Sequence, residues 1–304
     1  MAQHIAKMSP KIKETIQLWQ HETGKETSLA SNLEKNEDLK TMVLSETPWL
    51  AEADSETDQK HQLVNLFDEN IMQNRISSAL SKLEELQQSN GSWSWWKGMQ
   101  GSYYITTAVV EMLVRLEKMV GHDADTEELI VKARPFLEKK LIEDMEEMIR
   151  LERKGHKNLR PSETTVRLLY IDALSDLINS AKATEAKQFM LKRMLKIPHE
   201  YTIYGKATVA VIFSYNKELE KAQEYMQSVQ EYLVYKEEMG RYFDTHKAYY
   251  SWFDYRIPTQ THAIEAFQML QPEKKQLISE MKRWLLQEKR TIGNSWTPTS
   301  HYQD

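Results

Sequence analysis

The chain has 304 residues, 40% of them apolar, no cysteine, and a formal charge of −5 from 40 basic and 45 acidic side chains. That length and apolar content suffice for one large domain or two ordinary ones with a substantial core. The charges are mixed along the chain, with no basic stripe of the kind a phosphate backbone attracts, which sets nucleic acid aside as a partner. The missing cysteine excludes disulfides, thiolate zinc sites, thiol nucleophiles and internal thioesters together.

No uninterrupted apolar run approaches the roughly 20 residues needed to span a bilayer, and "MAQHIAKMSPK" lacks the apolar core of a signal peptide. Direct membrane insertion is therefore not expected; the chain is either cytoplasmic or a piece of a longer exported protein. Only nine glycines and eight prolines punctuate a sequence dominated by Leu, Glu, Lys, Gln, Met and Ala, which is the composition of helix. The expected fold class is all-α.

Residues 1 to 45 are the most polar part, and "GKETSLASNLEKNEDLK" (24 to 40) reads as a short helix or two. Pro48 follows in "LSETPWL", where the residue before proline is pushed out of the α region. A helical lead-in segment over 1–50 and a main domain over 51–304 are expected.

From Leu63 onward two kinds of helical segment alternate. The first kind is charged and amphipathic, covering 63 to 88, 127 to 151, 183 to 196, 217 to 235 and 274 to 288, with apolar residues three or four apart such as Leu219, Ala222, Met226, Val229 and Leu233. The second kind is shorter and apolar round most of its circumference: "YYITTAVVEML", "TTVRLLYIDAL", "YGKATVAVIFSY" and "PTQTHAIEAFQML", starting near 103, 164, 204 and 258. A helix apolar on all sides must be enclosed by protein, and Ser, Thr or Pro at each start suits a first helical turn. Inner helices, each followed by an outer one and recurring at repeat-like spacing, predict an α/α toroid; an open solenoid of helix pairs is the rival arrangement. The last stretch, "RTIGNSWTPTSHYQD", repeats the Trp, Thr and Pro that introduce an inner helix and then stops, so an incomplete ring, cut from something longer, is expected.

Candidate chemistry is thin. "YGKATV" offers Gly205 and Lys206, but Glu200 and Ala207 stand where a phosphate-binding loop needs glycine and a hydroxyl residue, leaving Lys206 as a polar entry to a buried helix. The nine histidines form no H-E-x-x-H pair, so no metal site and no cofactor is expected; His246 and His262 flank an aromatic loop and could converge. In that loop, "GRYFDTHKAYYSWFDYRIPTQTHA" (240 to 263), Asp244 and Asp254 lie among aromatic residues, as in a glycoside hydrolase or lyase. "HDADT" (122 to 126) reads as helix capping, with Thr126 as N-cap before Glu127 and Glu128.

The stretch "LQQSNGSWSWWKGMQGSYYITTAVVEML" (86 to 113) is the most distinctive. Its Trp93, Trp95 and Trp96, each ring large enough to bury roughly 150 to 250 Å², are read as the packing of a repeat turn between two helices, with an aromatic binding surface as the alternative. Gln88, Gly91 and Trp93 have the spacing Q-x-x-G-x-W, with Thr106 opening the next helix. This resembles the repeat turn of terpenoid-cyclase-like toroids, and more specifically the thioester-domain toroid of bacterial alpha-2-macroglobulins of the Bacteroidetes type. The upstream "SLASNLEKNEDLKTMVLSETPWLAEADSETDQKHQLVNLFD" is similar to the segment that precedes that toroid, and "GNSWTPT" to a later turn of the same ring. The family's Cys-x-Glu-Gln thioester motif is missing: the comparable "NLFDENIMQNRI" holds Gln73 and no cysteine. The resemblance implies a non-catalytic, thioester-less toroid within a larger periplasmic or envelope-associated endopeptidase inhibitor. Its implied partners are the other domains of that macroglobulin chain and host or competitor proteases. A toroidal carbohydrate-active enzyme using Asp244 and Asp254 is the alternative.

Overall fold

A computed structural model describes residues 69–196, 201–243 and 256–292, with side chains from 73 to 288. The fold is all-α: the described residues form nine helices and one two-stranded hairpin. In chain order these are α1 (Glu69–Leu86), α2 (Tyr103–Val120), α3 (Ala124–Arg153), α4 (Glu163–Ser175), α5 (Ala181–Lys196), α6 (Ile203–Tyr215), α7 (Leu219–Glu231), β1 (Leu233–Lys236), β2 (Gly240–Phe243), α8 (Arg256–Leu270) and α9 (Lys275–Ile292). The boundary expected near residue 50 lies outside the described residues.

The chain divides into two compact units. The larger comprises Leu86–Arg115 and Ala124–Glu288, and everything described below belongs to it. The described part of the other is 69–85, 116–123 and 289–292; in it, His122 sits 3.6 Å from Glu117, and Gln73 is an exposed residue of α1.

The two kinds of helix separate by burial as their sequences demand. In α6 every residue from Ala207 to Phe213 is buried, and in α4 every residue from Leu168 to Leu174. In α3, by contrast, Leu129, Ile130, Ala133, Phe136, Leu137, Leu141, Met145 and Met148 form a single stripe at helical spacing, as do Ala183, Ala186, Met190 and Met194 in α5. Packing follows the same division: α6 lies against α4, α7 and α8, while α3 lies against α5 and α4. Burying such apolar side chains contributes about 1.5 to 3 kcal/mol each.

Side-chain caps start the buried helices. Ser162 accepts a bond from the Thr165 amide at 3.2 Å, and Thr202 accepts one from the Gly205 amide at 3.2 Å, each satisfying a donor the helix itself leaves free. Pro258 stands in the first turn of α8, where its missing N–H has no intrahelical partner to lose. Lys206 reaches the Ser228 hydroxyl at 2.7 Å and lies 4.6 Å from the Tyr232 ring centre, tying α6 to α7 and its C-cap.

Two expectations are corrected. Thr126 does not cap α3: the helix begins at Ala124, and Thr126 is a buried residue of its first turn. The segment 217 to 235 is not one helix: α7 ends at Glu231, and the chain enters a hairpin in which Leu233 pairs with Phe243 and Lys236 with Gly240. Leu219, at the other end of that stripe, is exposed, whereas Ala222, Met226 and Val229 are buried. The hairpin forms because Leu233, Val234 and Tyr235 suit a pleated strand and Gly240, at φ +82°, supplies the left-handed residue that ends its short loop.

Candidate functional site

The turn before α2 is held by a dense set of bonds. The Gln88 amide donates to the Ser92 carbonyl and the Gly91 amide to the Gln88 carbonyl, both at 2.8 Å. The Gln88 side chain reaches the Met99 carbonyl at 2.6 Å. The Trp93 amide donates to the Thr106 hydroxyl oxygen at 2.9 Å, and that hydroxyl faces the Trp93 carbonyl at 3.3 Å. Thr106 is fully buried and Trp93 only 3% exposed. Gly91 has φ +83°, and a Cβ built on it would sit 1.8 Å from the Lys132 carbonyl oxygen of α3. Only glycine fits so close an approach to another backbone.

Trp95 and Trp96 do not share in that packing. They are 55% and 69% exposed, within a stretch whose next residues, Lys97 and Gly98, are also exposed. Trp95 instead stacks on Tyr104, ring centres 5.8 Å apart, with Trp96 6.3 Å beyond it.

The hairpin contains a second turn of the same construction. Gly240, Arg241 and Tyr242 stand where Gly91, Ser92 and Trp93 stand in the first. A Cβ on Gly240 would lie 2.2 Å from the Glu280 carbonyl oxygen of α9, so Gly91 is pressed against α3, which follows α2, and Gly240 against α9, which follows α8. A glutamine amide ties each turn to a following helix: Gln87, just before the first turn, to Gly91 and Leu129 of α3, both at 3.0 Å, and Gln260 of α8 to Arg241 at 2.9 Å and Met281 of α9 at 3.2 Å. Tyr242 is buried and stacks on Trp284 of α9 at 5.8 Å. The G-x-aromatic spacing of this second turn was visible in the sequence, hidden among the many rings around it.

Between α2, α4, α6 and α8 runs a polar network that no motif announced. Glu111 of α2, almost fully buried, accepts from Arg115 at 2.9 Å and from Arg167 of α4. Arg115 also donates to Glu265 of α8 at 2.6 Å, and its guanidinium lies 5.6 Å from the Tyr170 ring centre. His262, 5% exposed, has Nε2 2.9 Å from the Thr208 hydroxyl of α6 and Nδ1 3.5 Å from Glu265, and stacks on Tyr204 at 4.3 Å. Helices α2, α4, α6 and α8 thus all contribute to one chain of polar groups.

The electrostatics follow from burial and pairing. Burial pushes the Glu111 carboxyl up, but Arg167 and Arg115 outweigh it and hold it below the usual carboxylate range. Burial likewise raises Glu265, yet the bonds from His262 and Arg115 bring it down to about 2. Tyr170 is pushed well above the usual phenol range by burial. Thr208, His262 and Glu265 have the order of a hydroxyl–imidazole–carboxylate relay. Their placement suits structure better than nucleophilic attack: Thr208 and His262 are both buried, and the Thr208 hydroxyl lies 3.0 Å from the Tyr204 carbonyl, which takes its proton.

His246, Asp244 and Asp254 lie outside the described residues. Among the described residues no group of His, Asp or Glu is placed to hold a metal ion, and no helix is long and apolar enough to cross a membrane.

Trp93→Ala is expected to lower the unfolding free energy by about 3 to 5 kcal/mol, whereas Trp95→Ala stays within about 0.5 kcal/mol; urea denaturation of the two variants reads the contrast. Glu265 has its folded-state pKa depressed from 4.5 to about 2, so the stability it contributes is present above pH 4.5 and is lost as pH falls toward 2. Glu265→Gln should therefore flatten the dependence of stability on pH across that window; an unchanged slope would show the pairing to be energetically silent. No protein-family model matches the chain, and comparison with curated proteins likewise returns no match.

Proposed function

We propose that this chain is a non-catalytic, thioester-less α/α toroid domain of an alpha-2-macroglobulin-like envelope protein that restrains endopeptidases by physical trapping. The observation that carries the reading is the repeated turn. Gly91–Trp93 and Gly240–Tyr242 each precede an inner helix and press a glycine onto the outer helix that follows. Such recurrence is what concentric rings of helices require, because each inner helix must be delivered to the centre at the same angle. The Q-x-x-G-x-W pattern, the "SETPW" segment and "GNSWTPT" add the likeness to the macroglobulin toroid.

The chemistry of the chain fits a scaffold. With no cysteine anywhere, an internal thioester cannot form, so a protease would be held without a covalent bond. Glu111, Arg115, Arg167, His262 and Glu265 are paired with one another, and the hydroxyl–imidazole pair of Thr208 and His262 is buried.

The trapping reading has a direct assay. Full-length gene product, incubated with an endopeptidase, is expected to abolish cleavage of a large protein substrate while leaving cleavage of a small peptide amide largely intact, with no adduct surviving denaturing electrophoresis. Equal loss of both activities, or loss of neither, would count against it.

A further inference from the structure

We propose that the ledge of Trp96, Trp95 and Tyr104, ending at the guanidinium of Arg167, binds a carboxylate-bearing sugar chain, a uronate glycan. The ledge lies within the larger unit and is independent of the macroglobulin reading.

Three aromatic rings follow one another at short spacing. Trp96 and Trp95 are 6.3 Å apart, Trp95 and Tyr104 5.8 Å, and the Arg167 guanidinium carbon lies 5.8 Å from the Tyr104 ring centre. Two adjacent indoles exposed by 69% and 55% leave a large apolar area in water that the packing of the turn does not require, since Trp93 alone fills that role. Large exposed rings beside convergent polar groups mark a ligand surface more often than a stable bare one.

Arg167 supplies the polar end. Its Nε is taken by Glu111, which fixes the plane of the guanidinium, while its two terminal nitrogens make no hydrogen bond among the described residues and its side chain is 29% exposed. Glu111 is shared between Arg167 and Arg115, and Glu265 pairs with Arg115. Arg167 is thus the less compensated cation of the network, with an open pair of donors in the geometry that grips a carboxylate through both oxygens.

The two halves specify complementary parts of one ligand. The C–H face of a pyranose packs on an indole while its hydroxyls stay in water, and a uronate adds one carboxylate per ring for the guanidinium. An acidic peptide fits less well, because acidic motifs are recognised by clusters of arginines, whereas among the described residues Arg167 is the one guanidinium placed over a ring of the ledge. The ledge is built from a turn and the first turn of α2 and has no strand of its own.

The chain can be titrated with tetramers of galacturonate and of mannuronate, with a neutral galactose tetramer, and with hexaglutamate, following indole fluorescence and heat. At least one uronate tetramer is expected to saturate the signal, with the neutral tetramer weaker by about tenfold or more. Trp96→Ala, an exposed position whose loss leaves the fold intact, and Arg167→Gln should each weaken uronate binding by about tenfold or more. Failure of both uronates to saturate, uronate binding as tight in Trp96→Ala as in the parent, or saturation by hexaglutamate alone would overturn the proposal.

Discussion

A single close approach governs the larger unit: the backbone of Gly91 lies against the backbone of α3 at a distance that admits no side chain. At φ +83° the residue is also in a region that other side chains rarely adopt. With that contact fixed, the Trp93 amide is aimed at Thr106 and the indole is sealed beneath the turn. The start of α2 and its direction relative to α3 are then determined together. The same close approach recurs at Gly240 against α9, whereas α4 and α6 start from the side-chain caps Ser162 and Thr202. Loops of this kind seldom carry so many internal bonds, because surface segments usually leave their polar groups to water; here the amides and carbonyls are paired within the protein.

Delivering apolar helices to an interior creates a second demand. Their few polar residues must find one another, because an unpaired buried charge costs several kcal/mol. Glu111, Arg115, Arg167, His262 and Glu265 meet that demand collectively, drawing on helices far apart in the chain. Such a network need not raise stability relative to an apolar core, but its geometry permits one arrangement of the helices and penalises a shifted one. It also leaves Arg167 half satisfied at the exposed rim, which is where a structural network can take on a binding role.

The alternation of helices was legible in the sequence because it rests on periodicity, which survives translation into structure: the runs beginning "YYITT", "TTVRL", "YGKAT" and "PTQTH" all begin within two residues of the observed helix starts. The hairpin was not legible, because Leu233 continues the three-and-four spacing of Ala222, Met226 and Val229 and so extends a helical pattern past its true end. The polar network was invisible for a different reason. Arg115 and Glu265 are 150 residues apart, and Glu111 and Arg167 are 56 apart, separations at which no local pattern exists. Trp95 and Trp96 show the limit of residue type as a guide: tryptophan is usually buried, but its neighbours decide whether the chain can bury it. Trp93, two residues away from Trp95, is tied through its backbone to the buried Thr106 and is itself buried; Trp95 stacks on Tyr104 and stays exposed.

The claim that backbone contact, rather than turn conformation alone, fixes the architecture is tested by comparing three glycines. Gly91, Gly240 and Gly98 all have positive φ, near +83°, +82° and +89°, but a Cβ on Gly98 meets nothing within 4 Å. Replacing each by alanine and measuring unfolding free energy separates the two effects. Gly98→Ala should cost about 1 kcal/mol, the strain of the conformation, while Gly91→Ala and Gly240→Ala should each cost at least about 2 kcal/mol more or abolish the cooperative transition. Equal losses at all three positions would mean that the turns merely tolerate glycine, and that the contact with α3 and α9 does not hold the helices in place.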